Sequence, residues 1–201
     1  MKVIVVAGPS GSGKSRLCRR LHDRCGLPVV NLDDFYKDGD DPTLPWTTLG
    51  HGQRIVDWDD PRSWSREDAL DALETFCREG AVDLPVYDLA HDGRTGTHRV
   101  EAGGAAYVVA EGLFAQEVVD GLARRGVLAD AVCVRNRPML TFWRRLTRDL
   151  RERRKPPLVL VRRGWRLMRS EPGVVAHAVA RGCTPATGDQ AFDRLSRLVG
   201  C

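Results

Sequence analysis

The chain has 201 residues, of which 42% are hydrophobic and 29% are charged, and its formal net charge is +4. This composition is ordinary for a folded, water-soluble protein and excludes a disordered or low-complexity chain. No apolar run approaches the ~20 residues that a membrane-spanning helix needs, and a chain of this length predicts one domain.

Strands and helices alternate along the chain. Residues 3–7 form a short, wholly apolar run rich in β-branched residues, which is typical of a strand buried on both faces of a parallel sheet. Further strands are predicted at 29–32, 106–110 and 131–134, and helices at 14–25, 66–79 and 114–125. This order predicts an α/β fold, in which helices cover a parallel sheet on both faces.

Two insertions interrupt this alternation. Residues 37–63 are acidic and rich in turn-forming residues, and 82–100 have the pattern of a β-hairpin with its turn near Asp92. Irregular loops of this length in a compact domain are usually functional or disordered. Beyond Pro138 the pattern predicts a helix with an apolar stripe, followed by a second basic segment. No internal repeat or linker occurs, so the sequence predicts a single domain over 1–201.

The basic residues are unevenly placed. Between Arg144 and Arg169, ten arginines and one lysine stand with only two acids, a local net charge of +9, which leaves −5 on the rest of the chain. One basic block on an acidic body favours a local anionic ligand, whereas a uniformly basic chain would favour nucleic acid or a membrane surface.

The cysteine pattern bears on the cellular compartment. Six cysteines stand at positions 18, 25, 77, 133, 183 and 201, with no CxxC pair and no zinc-type spacing. The N-terminal residues have the pattern of a strand leading into a glycine loop, with too short an apolar part for a signal peptide. We therefore expect reduced, mostly buried thiols in a cytoplasmic protein without a structural metal.

The clearest motif is GPSGSGKS at 8–15, which matches the phosphate-binding loop (P-loop) GxxxxGK[ST]. In this motif backbone N–H groups and a helix N-terminus cradle the phosphates, the lysine reaches the β- and γ-oxygens, and the Ser15 hydroxyl binds Mg²⁺. The sequence thus predicts binding of a nucleoside triphosphate. The predicted ATP-binding residues of this loop are Gly8, Ser10, Gly11, Ser12, Gly13, Lys14, Ser15 and Arg16.

Carboxylates follow two of the predicted strands. Asp33 and Asp34 come directly after the second strand, and Glu111 follows the strand at 106–110. Ligands gather at the carboxyl ends of parallel strands, where a carboxylate can hold Mg²⁺ or accept a proton from an attacking hydroxyl. Because acids in these positions also cap turns and helices, the residues by themselves leave both interpretations open.

Six segments together resemble one family. GPSGSGKS, NLDDFYKD, VDWDDPRSW, LPVYDLAH, AEGLFA and RRLTRDLRERRK occur in the order typical of uridine/cytidine kinases, over about residues 1–155. Phosphoribulokinase and pantothenate kinase are more distant relatives of that family. The resemblance implies a three-layer P-loop NTPase fold with a parallel sheet, an inserted β-hairpin and a basic helical lid at about 144–170.

The resemblance also implies a role for each matching residue. Asp33 would take the proton of the nucleoside 5′-hydroxyl, with Lys14 and Arg148 as further catalytic residues. The magnesium ligands would be Ser15, Asp33 and Glu111. The substrate-binding residues would be Asp33, Tyr36, Asp59 on the ribose hydroxyls, and Tyr87 and His91 on the base. The lid over the ATP phosphates would consist of Arg145, Arg148, Arg153 and Lys155.

The chain departs from the family pattern in three places. His91 stands one residue closer to Tyr87 than the family's histidine does, which weakens its case as a base contact. Lys155 replaces the arginine that usually ends the lid motif. A compact ammonium group therefore stands where the family has a planar guanidinium that can bind phosphate with two hydrogen bonds. After Pro157 the resemblance fades and no late strand is predicted, although the turn-like segment at 182–190 is a candidate for approaching adenine.

The observations predict an ATP- or GTP-dependent, Mg²⁺-requiring kinase that phosphorylates the 5′-hydroxyl of uridine or cytidine. A P-loop kinase of another small alcohol, pantothenate- or sugar-like, stays open, as does a nucleotide-dependent protein whose basic block binds nucleic acid. The acids and aromatics of 37–99 favour a neutral, ring-bearing acceptor. The single basic block argues against nucleic acid as the partner, and a homo-oligomer is left open.

Overall fold

The computed structural model describes residues 1–48, 52, 54–88, 91–136, 139, 142–143, 147, 169 and 171–201. The strands of this part of the chain are β1 (Lys2–Ala7), β2 (Val29–Asn31), β3 (Trp46–Thr48), β4 (Arg54–Val56), β5 (Ala81–Asp88), β6 (Gly93–Glu101), β7 (Tyr107–Glu111), β8 (Leu128–Val134) and β9 (Thr184–Ala186). The helices are α1 (Lys14–Cys25), α2 (Arg66–Glu79), α3 (Val119–Arg124), α4 (171–180) and α5 (Gly188–Val199).

Five of the strands form one parallel sheet in the order β2–β7–β1–β8–β9. β1 pairs with β7 on one side and with β8 on the other, so it lies at the centre. Its alternate side chains enter two separate apolar layers, because Val3 and Val5 belong to one cluster and Ile4 and Val6 to the other. A strand with both faces buried needs apolar residues at every position, which explains the unbroken apolar run in the sequence.

The helices cover both faces of this sheet. α1 and α5 pack against the Ile4 face through side chains such as Leu21 and Leu195. α2, α3 and α4 pack against the Val3 face, to which they contribute Leu73, Leu122 and Ala178. The predicted three-layer α/β P-loop fold is therefore confirmed. No helix in the described ranges is both long and apolar enough to cross a membrane.

The two insertions form small antiparallel sheets outside the central one. β5 and β6 pair along their length and make the predicted hairpin, whose turn includes Asp92 with a φ of 45°. Within the first insertion, β3 pairs with β4. Both sheets follow β2 in the chain.

Two regions differ from the sequence prediction. The helix predicted at 114–125 is a 3₁₀ turn over Ala115–Val118 followed by the short α3, because all four turn side chains are buried and no single face is amphipathic. A late strand does exist, since β9 pairs with β8 at the sheet edge. Its three residues carry no periodic signal, and they include Pro185, which an edge strand tolerates.

The expectation of six reduced cysteines is wrong for two of them. Cys25 at the end of α1 and Cys201 form a disulfide, with their Cα atoms 5.4 Å apart. α1 and α5 pack side by side, so their C-terminal ends bring together two cysteines that are 176 positions apart in sequence. Among the remaining thiols, Cys18, Cys133 and Cys183 are buried, as predicted.

Candidate active site

The P-loop leaves β1 and leads directly into α1. Gly8 has a φ of 138°, which L side chains rarely adopt, and a Cβ there would collide with the carbonyl oxygen of Val134. The Ser12 N–H donates to the Pro9 carbonyl oxygen at 3.1 Å and closes the turn. A glycine-rich turn that ends at the N-terminus of a 12-residue helix is an arrangement that binds phosphate groups.

The side chain of Lys14 folds back over the loop. Its Nζ donates to the carbonyl oxygen of Gly8 at 2.8 Å. Burial lowers the pKa of Lys14, while the nearby carboxylates of Asp33 and Glu111 oppose the shift. The two carboxylates therefore favour the charged form of Lys14, which is the form that binds phosphate oxygens.

Oxygen ligands suited to a divalent cation stand beside Lys14. The Ser15 hydroxyl donates to Oε2 of Glu111 at 3.2 Å. Burial raises the pKa of Glu111, and the positive charge of Lys14 opposes the shift. A hydroxyl and carboxylates, from Ser15, Glu111 and the neighbouring Asp33, are the hard ligands that Mg²⁺ prefers. The residues present thus fit a magnesium ion that also contacts nucleotide phosphates.

Asp33 is held in place by the chain that follows β7. It lies in the 3₁₀ turn Leu32–Phe35 directly after β2, and its Oδ1 accepts a hydrogen bond from the backbone N–H of Leu113 at 2.7 Å. A Cβ on Gly112 would lie 3.0 Å from that oxygen and 2.9 Å from the Cβ of Leu32. The missing side chain at position 112 therefore allows the close approach that fixes the Asp33 carboxylate.

These groups share one cleft of about 490 Å³. Its size is within the usual range for small-molecule sites. The lining residues are Ser10, Gly11, Gly13, Lys14, Ser15, Arg16, Asn31, Asp33, Tyr36, Glu111 and Leu113. The cleft thus joins the phosphate-binding loop to the carboxylates at the ends of β2 and β7.

Four aromatic rings stand at the Tyr36 end of the cleft, and we call them the aromatic cluster. The Tyr36 ring centroid is 5.9 Å from Trp58, 5.7 Å from Tyr87 and 5.9 Å from Phe114. Burial raises the pKa of Tyr36, and the negative charges of Asp33 and Asp59 raise it further. The rings meet at 47–78° to one another, so the cluster provides an apolar surface near Asp33 made of ring edges and faces, against which a ring-bearing ligand can pack.

Asp59 and His91 occupy different surroundings. Asp59 is exposed, but it lies near enough to the Tyr36 hydroxyl to affect its pKa. His91 is 71% exposed at the tip of the β5–β6 hairpin and pairs with Oδ2 of Asp88 at 2.7 Å. The structure therefore brings Asp59 near the aromatic cluster, and Asp59, Tyr87 and His91 all lie outside the residues that line the cleft.

A second, smaller cavity of about 100 Å³ adjoins the P-loop on the α5 side. The N-terminal residues of α5, Gly188 and Asp189, line it together with the preceding Thr187 and with Arg16. Asn136, which follows β8, also lines it and donates from Nδ2 to the Ser12 carbonyl oxygen at 2.5 Å. Residues 187–189 of the segment at 182–190 therefore lie beside the P-loop, while the expectation that this segment approaches adenine stays a prediction.

Several site residues could not be identified by sequence reasoning. Leu113 and Gly112 act through the backbone, and the only signal was a glycine directly after Glu111. Asn31 stands in the NLDDFYKD segment and Thr187 in the segment at 182–190, but no role was predicted for either residue, and Asn136 belongs to no motif. The predicted lid residues lie outside the described part of the chain: Arg145, Arg148, Arg153 and Lys155.

Comparison with known proteins identifies the family. The model of the phosphoribulokinase / uridine kinase family matches residues 3–156. The chain belongs to this family. It is an enzyme, a uridine kinase-like P-loop kinase.

Two curated relatives show how far the similarity extends. The uridine kinase of Geobacillus kaustophilus is 30% identical to this kinase over 156 residues, covering 75% of this chain and 68% of that protein. The uridine kinase of Deinococcus deserti is 31% identical over 160 residues, covering 77% and 72%.

A solved structure supports the fold independently. A protein of Silicibacter sp. TM1040, provisionally described as a fructose transport system kinase, superposes with a TM-score of 0.63. It shares 18% sequence identity, and the match covers 87% of this kinase and 84% of that chain. At this level of identity the likeness concerns the fold alone.

Proposed function

We propose that this kinase transfers the γ-phosphoryl group of ATP to the 5′-hydroxyl of a pyrimidine nucleoside, uridine or cytidine. The observation that carries the proposal is the cleft itself, which is lined by Lys14, by Asp33 and by Tyr36 of the aromatic cluster. The naming of two relatives as uridine kinases supports the same acceptor. We infer that it acts in the cytoplasm, where nucleoside triphosphates are available.

In the proposed mechanism, Asp33 accepts the proton of the attacking hydroxyl. The hydrogen bond from Leu113 to Oδ1 fixes the carboxylate, so that it need not reorganise during the reaction. Lys14 leaves the carbonyl of Gly8 and binds the β- and γ-phosphate oxygens. Ser15, Asp33 and Glu111 would hold Mg²⁺, which when bound neutralises charge on the phosphates.

The nucleotide and the acceptor would occupy opposite ends of the cleft. We place the purine of ATP at the small cavity of Arg16, Asn136 and Thr187, on the α5 side of the P-loop. The nucleoside would lie on the other side, with its ring against the aromatic cluster and a ribose hydroxyl towards Asp59.

The charges around the acceptor end support a neutral substrate. In the described part of 37–99, each lysine and arginine contacts a protein partner, and five of the seven pair with a carboxylate, so little positive charge is left for a phosphate on the acceptor. The pairs are Lys37–Thr43, Arg54–Trp46, Arg62–Asp60, Arg66–Glu67, Arg78–Glu79, Arg94–Asp68 and Arg99–Asp83. A phosphorylated sugar would need such a charge, and a nucleoside does not.

The proposal is tested by measuring ADP release with uridine, cytidine, purine nucleosides, pantothenate and ribulose 5-phosphate. We expect turnover with the pyrimidine nucleosides, and a loss of about 10²–10⁴-fold in kcat for Asp33→Asn, because an amide cannot accept the proton. Asp23→Asn, an exposed aspartate on α1, is the matched control and should behave as wild type. Turnover with pantothenate or ribulose 5-phosphate alone, or full activity of Asp33→Asn, would contradict the proposal.

A further inference from the structure

Apart from the Tyr87 ring, which packs in the aromatic cluster, the half of the β5–β6 hairpin nearest its turn has little apolar anchoring. At the opposite end of β5, Val82 and Leu84 are buried in the core. Nearer the turn, Val86 is 38% exposed, and residues 94–99 of β6 are all exposed. Because a two-stranded hairpin alone is marginally stable in water, other contacts must hold Tyr87 beside the cleft.

Two aspartates of the segment after β2 make those contacts. Oδ1 of Asp34 accepts a hydrogen bond from the backbone N–H of Tyr87 at 3.5 Å, while Asn31 Nδ2 donates to its other oxygen at 2.9 Å. Oδ1 of Asp38 accepts from the backbone N–H of Arg94 at 2.7 Å. Tyr87 and Arg94 are directly paired across the hairpin, next to the irregularity in its register. The backbone N–H groups of Tyr87 and Arg94 thus both donate to side chains of one short segment, residues 34–38.

The backbones of the two segments also meet closely. The Gly39 N–H donates to the Asp92 carbonyl oxygen at 2.6 Å. A Cβ on Gly39 would lie 3.0 Å from that oxygen and 3.1 Å from the Asp92 Cβ, which is closer than ordinary contacts. A side chain at position 39 would therefore push the hairpin tip back by a few tenths of an ångström.

We propose that Asp34 and Asp38 are positioning residues that clamp the hairpin and so fix the Tyr87 ring relative to Asp33. Asp33 and Asp34 are adjacent, but only Asp33 lines the cleft, whereas Asp34 bonds to the hairpin. The segment therefore connects the group that accepts the proton with the wall that receives the acceptor. The kinetic consequences of the clamp rest on the proposed function, whereas its structural consequences do not.

The kinetic test uses uridine as acceptor and the double variant Asp34→Ala/Asp38→Ala. Loss of the two bonds should raise the KM for uridine about tenfold or more, with kcat and the KM for ATP within about twofold of wild type. The double variant Asp34→Asn/Asp38→Asn should recover most of the affinity, because an amide oxygen still accepts a backbone N–H. Gly39→Ala should raise the same KM.

The control variant is Asp83→Ala, an exposed carboxylate on the same hairpin that contacts only its neighbour Arg99 among the described residues. It should leave all three kinetic constants unchanged. An unchanged KM for uridine in the alanine double variant, or a KM that the asparagine variant fails to recover, would overturn the proposal.

Amide hydrogen exchange tests the clamp without any substrate. In the alanine double variant we expect the amides of Tyr87 and Arg94 to exchange about tenfold faster or more, with no change in β1 or α2. Unchanged exchange at both amides would refute the clamp. If wild-type protein phosphorylates no pyrimidine nucleoside, the proposed function is wrong, and the exchange result alone then decides the clamp.

Discussion

At the scale of single residues, the site depends as much on an absent side chain as on those present. Asp33 is fixed by the Leu113 N–H, and that N–H can reach it only because Gly112 has no Cβ. The P-loop uses glycine in a comparable way at position 8, where the chain passes against β8.

Gly112→Ala tests this dependence. The added methyl group would lie 3.0 Å from the carboxylate oxygen of Asp33, so it should displace the carboxylate and lower kcat by about 10²-fold. Binding of ATP should change little, because the loop at 8–15 is untouched. Steady-state kinetics and ATP titration measure the two effects. The matched control is Gly126→Ala, a glycine with open space around it, which should leave kcat unchanged although its φ of 68° costs some stability.

Sequence reasoning identified the residues whose chemistry is carried by short motifs. Lys14, Ser15, Asp33 and Glu111 could be found because a motif fixes their position relative to a strand end. Their supporting partners could not, since a backbone N–H leaves little trace in a sequence and residues such as Asn136 come from a distant part of the chain. The expectation that His91 contacts the base stays a prediction, and in this structure the side chain pairs with Asp88.

At the scale of elements, β9 and α5 connect the end of the chain with the nucleotide side. Thr187 caps α5, since its hydroxyl accepts from the Gln190 N–H at 3.3 Å while the Gln190 side chain accepts from the Thr187 N–H at 3.0 Å. The same residue lines the small cavity beside the P-loop. If ATP binds as proposed, capping and nucleotide binding would therefore both involve this one side chain.

Thr187→Ala should show both effects. Loss of the cap should cost about 1 kcal/mol of folding free energy and lower the melting temperature by roughly 2–4 °C. The KM for ATP should rise while the KM for the acceptor stays the same. Thr187→Ser keeps the hydroxyl and should behave as wild type in thermal unfolding and kinetics. A melting temperature unchanged in the alanine variant would show that the cap contributes nothing.

The sequence predicts elements well where periodicity is strong and poorly where they are short. α1 and α2 have the predicted bounds, since each has one apolar face and a glycine at its end. The turn at Ala115–Val118 is buried all round and was predicted as helix, and β9 was not predicted at all. Three-residue strands depend on their neighbours in the sheet, which a local pattern does not contain.

At the scale of the whole molecule, the two helices of one layer, α1 and α5, are joined by an ion pair and by a disulfide. α1 and α5 begin at the nucleotide side, where Arg20 pairs with Asp189 at 2.8 Å. They end at the disulfide between Cys25 and Cys201. Disulfides are rare in a reducing cytoplasm. The layer that carries the P-loop should be more stable when this pair is oxidised than when it is reduced.

Cys201→Ser should lower the free energy of unfolding by about 5 kcal/mol and the melting temperature by roughly 10–20 °C, because the bond closes a loop of 176 residues. A dithiol reductant should lower the wild type to the same value and leave the variant unaffected. Cys77→Ser, which removes a free thiol, is the control for serine substitution. A wild-type melting temperature that the reductant does not change would contradict the prediction.

The outer strand of the hairpin, β6, has a consequence for how this kinase can change during evolution. Its side chains from 94 to 99 are exposed, yet the strand lies behind the wall that we assign to the acceptor. The clamp bonds to backbone atoms, so it accepts almost any side chain on that strand. Mutations can therefore accumulate in β6 with little damage to folding.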